Sequence, residues 1–119
     1  MDFTLTEFEG ELLDLGRTYA EREIAPVAAQ AWHEERCPTE LLRGLGELGL
    51  LGTLVPEKWG GIGSTTVGYV ALLEALGSVD PSVASAWQAH STIGSMPLLL
   101  FGNDEQREQI GRASCRERV

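Results

Sequence analysis

The sequence predicts an all-α fold: an up-and-down bundle of five or six helices broken by one glycine-rich loop. Three observations carry this. Apolar residues recur at three- and four-residue spacing along most of the chain, strand-like alternation is absent, and helix start signals precede the periodic stretches. With 119 residues, 43% hydrophobic and 23% charged, the chain can enclose one core and no more.

Thr4 or Thr6 opens the first helix, each followed three residues on by a glutamate (Glu7, Glu9), which is capping-box spacing. Phe8, Leu12, Leu15 and Tyr19 read as its apolar stripe. Glu7, Glu9, Glu11 and Asp14 read as a solvated face favoured by the helix dipole rather than a metal site. Pro26 is expected to end or kink this helix. A shorter helix from Pro26 presents Val27, Gln30, Ala31 and Glu34, with Trp32 beside it and His33 as a surface histidine, and Cys37–Pro38 breaks the chain.

Thr39 is expected to cap the next helix, with Leu41, Leu45 and Leu48 as its core stripe. Gly44, Gly46, Gly49 and Gly52 weaken its intrinsic helicity, so packing must hold it. Residues 53–63, TLVPEKWGGIG, form the loop, with Trp59 pinned against the core. A phosphate cradle is disfavoured there: no strand precedes the loop, Thr66 stands where a dinucleotide motif needs its third glycine, and no Walker lysine follows. Ser64 or Thr65 caps a helix running to about Leu76, apolar over most of its circumference and therefore central. Glu74 on it is read as pairing with an arginine or a helix end, not as a general base.

Asp80 then caps a helix with Pro81 at its first position. Ala86, Ala89, His90 and Ile93 fall at i, i+3, i+4 and i+7 and share a face. The two alanines leave a shallow furrow where a partner helix or a narrow ligand can lie. This helix is expected to end near Gly94–Ser95, ahead of Pro97, and Asn103 with Gln106 has capping-box spacing for another.

The net charge of −9 disfavours nucleic-acid binding, which needs clustered lysine and arginine. Cys37 and Cys115 have neither metal-ligand spacing nor a disulfide framework. The amino terminus does not read as a signal peptide, and the apolar runs are too short to span a bilayer. The expected location is the cytoplasm.

Four sub-motifs occur in order: VPEKWGGIGS, LLEALG within the central helix, VDPSVASAW followed by His90, and MP leading to FGNDEQ. As an ordered set they resemble the amino-terminal helical domain of acyl-CoA dehydrogenases, over residues 1–109. The resemblance implies a parent enzyme that oxidises an acyl-CoA thioester to its α,β-enoyl form, with FAD accepting hydride. It also implies a homotetramer that passes electrons to an electron-transferring flavoprotein. In the family the flavin site and the catalytic glutamate lie beyond the part matched here, so Glu74 inherits no catalytic role and this chain is expected to be inactive alone, without bound FAD. By position, Ala86, Ala89, His90 and Ile93 would form one wall of the acyl-chain pocket, and the His90 ring would suit a polar acyl group better than a plain alkyl tail. A related flavin monooxygenase or acyl-CoA oxidase, and a non-enzymatic helical interaction module, are the alternatives.

Residues 110–119, IGRASCRERV, depart from this pattern: three arginines enter in ten residues, and the aromatic-Leu-Pro segment of the family is missing. They read as sequencing-adapter DNA translated in frame, with a short natural basic tail as the alternative.

Overall fold

The Thr6 hydroxyl accepts a hydrogen bond from Glu9 N at 3.2 Å while Glu9 Oε1 accepts from Thr6 N at 3.1 Å, closing the expected capping box. From there the computed structural model, which describes residues 1–116, runs as helices α1 (Glu7–Tyr19), α2 (Ala25–His33), α3 (Thr39–Glu47), α4 (Thr66–Val79), α5 (Pro81–Ala89), α6 (Met96–Phe101) and α7 (Asp104–Gly111). No strand occurs among the described residues. Wider π turns at Ala20–Ile24 and His90–Gly94 join α1 to α2 and α5 to α6, and a third, Arg112–Arg116, extends α7. Joined in this way, the segments form five rods, the all-α bundle the sequence predicts.

The π turns bear on two expectations. Pro26 does not end the first helix, whereas the helix from Pro81 does end at Gly94, with a turn at Ser95 ahead of Pro97; each proline sits at the start of the next α-helical segment. Proline in a helix interior lacks a donor and its ring meets the carbonyl four residues back. The five-residue spacing of the π turn, with Ala25 N bonded to Ala20 O, shifts that carbonyl out of the ring's path.

The stripe on α1 is also rotated from expectation. Leu12 is buried, but Phe8 and Leu15 are exposed, and the inner side continues through Glu9, Gly16, Ala20 and Ile24. Gly16 explains the rotation: a Cβ there would run into Leu72 Cδ1, so the missing side chain lets α4 approach α1 closely. Apolar spacing alone cannot register a glycine as a contact surface. Glu9, read as solvated, is enclosed because its carboxylate is held by Thr6 and by Thr65 of the α4 cap.

Thr39 is the first residue of α3 rather than its cap; Pro38 takes the cap position and its carbonyl accepts from Leu41 N at 2.9 Å. Leu41 and Leu45 are buried as expected, but Leu48 is exposed. The helix ends at Glu47 and Gly49 adopts a left-handed φ of 83°, which turns Leu50 inward instead. Glu74 is exposed and makes no ion pair among the described residues, contrary to the pairing expected for it.

Helix α4 packs between α1 and α5, and the core lies along it. Leu72 and Leu76 of α4 meet Leu12 and Ile24 on one side and Val83 and Trp87 on the other. Trp87 is fully enclosed, stacks on Tyr69 with ring centroids 5.0 Å apart, and donates from Nε1 to Leu50 O at 2.8 Å. One side chain thus ties α4, α5 and the turn after α3 together.

Candidate functional site: the outer face of α5 and its π turn

Asp80 Oδ1 accepts from Ser82 N at 3.1 Å, so α5 begins at the predicted cap. Its inner face is Val83, Ala84 and Trp87, continued by Ser91 in the π turn. A helix advances about 100° per residue, so the face opposite that line carries Ala89 and Ile93. Ile93 is 76% exposed and Ala89 is exposed, whereas Ala86 and His90 are partly buried along the shoulder. The four residues singled out from spacing therefore occupy one side of the helix but not one depth.

His90 differs from the other three. Its Nε2 lies 3.1 Å from Ser114 Oγ, and burial pushes its imidazole below the ordinary value, partly opposed by the Leu51 backbone. Its polar atoms are thus engaged by neighbouring segments. Helix α6, packed on the π turn, adds Leu100 and Phe101, the latter 87% exposed.

Three hydroxyls that spacing did not flag bond the backbone of this segment. Ser91 Oγ donates to Trp87 O at 2.9 Å, Thr92 Oγ1 to Gln88 O at 2.8 Å, and Ser95 Oγ to His90 O at 2.8 Å. Side-chain bonds to carbonyls a turn back compete with the backbone ladder and bend helices. The cluster of Ser91, Thr92 and Ser95 ahead of Pro97 was the available signal for the π turn.

The glycine-rich loop is closed on itself. Gly61 N donates to Pro56 O, Ile62 N to Gly52 O, Gly63 N to Val55 O and Ser64 N to Thr53 O, at 3.1, 3.0, 2.9 and 2.8 Å. With these donors committed, the loop does not fit a flavin or nucleotide phosphate. Trp59 is partly exposed, with Lys58 Nζ 4.9 Å from its ring centroid, and its backbone lies against Gly111 of α7. No group of three metal-ligating side chains occurs among the described residues, and no helix among them is long and apolar enough to cross a membrane.

The sequence model of the acyl-CoA dehydrogenase N-terminal domain matches residues 6–117. The chain belongs to the acyl-CoA dehydrogenase family. Within this family it is 32% identical over 108 residues to the probable acyl-CoA dehydrogenase YngJ of Bacillus subtilis, covering 91% of this chain and 28% of that protein. Its structure superposes on butyryl-CoA dehydrogenase from Megasphaera elsdenii with a TM-score of 0.87 at 29% identity, covering 94% of this chain and 30% of that one. A chain from a structure described as the electron transferring flavoprotein of Acidaminococcus fermentans matches with a TM-score of 0.91 at 27% identity, over 99% of this chain and 31% of that one. The chain thus spans between 24 and 29% of the length of the first curated acyl-CoA dehydrogenases it matches.

Proposed function

We propose that this domain forms one wall of the acyl-chain pocket in an FAD-dependent enzyme that desaturates acyl-CoA thioesters at the α,β bond. The observation that carries the reading is the outward strip of Ala89 and Ile93, flanked by Ala86 and backed by the enclosed Trp87. A small residue followed by a branched apolar one, on a helix made rigid by the core, suits contact with an aliphatic chain. His90, whose ring nitrogens are turned to Ser114 and the Leu51 backbone in this chain, would form only the shoulder of that wall. The described residues do not fit a flavin site by themselves, because the loop donors are committed, and no step of the redox chemistry is placed on them.

The parent enzyme would be a cytoplasmic homotetramer that passes electrons to an electron-transferring flavoprotein. Two measurements test the reading. The chain alone should show no flavin absorbance and no acyl-CoA oxidation; stoichiometric bound FAD would contradict it. In the complete enzyme, Ala89→Phe should lower kcat/KM for acyl-CoA while bound flavin is retained, and unchanged kinetics would remove Ala89 from the wall.

We also propose that residues 110–119 are translated adapter DNA, on their arginine-rich composition and against a family match that runs through residue 117. Ser114 and Gly111 pack against the body, so the segment is accommodated whatever its origin, and residues 117–119 lie outside the described residues. Authentic coding DNA at this position would end the proposal.

A further inference from the structure

At the opposite end of α5 from the acyl wall, a cleft of about 610 Å³ opens between the end of α2, the turn at residues 34–38 and the first turn of α5. Trp32 lines it and is 75% exposed, whereas Trp87 is fully enclosed. Ala28, Ala31 and Pro38 supply apolar surface beside the indole.

The charges lining the cleft are unequal. Arg36, the one lysine or arginine among the lining residues, is engaged by Glu34 at 3.3 Å and by Glu40 at 2.8 and 3.1 Å. Glu35 and Asp80 also line the cleft, and their carboxylates make no ion pair among the described residues. Asp80 caps α5 through one oxygen only. Glu35 is held at a left-handed φ of 52° by its own N–H to Trp32 O at 3.1 Å and by Arg36 N to Ala31 O at 2.9 Å. These bonds fix the backbone from which the Trp32 and Glu35 side chains leave, on one turn beside the cleft.

We propose that this cleft binds an organic cation bearing a quaternary ammonium group. An anion would meet two carboxylates without ion-pair partners, and the guanidinium that could receive it is engaged by Glu34 and Glu40. A methylated ammonium needs no hydrogen-bond partners, can lie on the indole face, and gains from both carboxylates. The site is separate from the acyl wall and does not depend on that reading.

The test is a titration of the 119-residue chain with choline and with its uncharged tert-butyl isostere, followed by the indole N–H resonances of the tryptophans. The expected result is a saturable shift at Trp32, roughly tenfold weaker binding of the isostere, and weaker choline binding in Glu35→Gln. The enclosed Trp87 signal reports that the variant remains folded. A shift that fails to saturate, equal binding of the isostere, or an unchanged affinity in Glu35→Gln would each overturn the proposal.

Discussion

Glu9 Oε2 accepts a hydrogen bond from Thr65 Oγ1 at 2.9 Å, joining residues 56 positions apart, while Oε1 accepts from Thr6 N. One carboxylate therefore binds the starts of α1 and α4, and Thr65 Oγ1 in turn accepts from Gly68 N at 3.1 Å. Thr65→Ala removes the α4 cap and half of Glu9's support. The expected loss is about 1–2 kcal/mol of unfolding free energy in urea denaturation; a change within error would show that the cap is dispensable.

The same carboxylate shapes the acid limb of stability. The Thr6 backbone, the Thr6 hydroxyl and Thr65 hold the Glu9 carboxyl below its ordinary 4.5. Because its folded value is depressed, its contribution is complete above 4.5 and is lost as pH falls through the lower folded value. Glu34 and Glu40, lowered mainly by Gln30 and Arg36 respectively, act in the same direction. Glu9→Gln should flatten the fall in urea midpoint between about pH 6 and pH 3, and an unaltered slope would contradict the assignment.

At the alkaline end, Tyr19 donates to Leu41 O at 2.7 Å, and burial, helped by Glu23, Glu47 and Glu40, pushes its phenol up to about 12. A raised folded value means that the neutral phenol's contribution is in place below 10.0 and is lost as pH rises through about 12. An absorbance titration should show the Tyr19 step near pH 12, missing in Tyr19→Phe. A tyrosinate step at the ordinary value that vanishes in that variant would refute the burial argument.

Two glycines should respond differently to the same added methyl. At Gly61 a Cβ would collide with the Val55 carbonyl, which is backbone and cannot yield. At Gly16 it would meet the terminal methyl of Leu72, a side chain rather than backbone, and the helix would gain about 1 kcal/mol in propensity. Gly61→Ala should cost about 1–3 kcal/mol and Gly16→Ala clearly less. Equal losses would mean that Leu72 cannot move.

Trp87→Phe should cost about 1–3 kcal/mol, through lost volume and the lost bond to Leu50 O. That carbonyl keeps Thr53 Oγ1 at 2.6 Å, so it is not left bare. Trp87→Ala should cost about 3–5 kcal/mol. A tolerated Trp87→Ala would show that the core does not depend on this ring.

Local signals in the sequence determined where most helices begin and which class of fold they build. The caps Thr6, Thr65, Asp80 and Asn103 act on backbone N–H groups two or three residues away, so the chain needs no distant partner to place them. The tertiary structure decided which side of each helix faces inward and how far each rod extends. Gly16 became an interface because Leu72 approached it, Glu9 was enclosed because Thr65 reached it, and Pro26 was absorbed because a π turn preceded it. Spacing put Ala86, Ala89, His90 and Ile93 on one side, but only the packing of Leu51 and Ser114 separated the engaged histidine from the open strip. Close approach depends on both partners, and one sequence position carries half of that information.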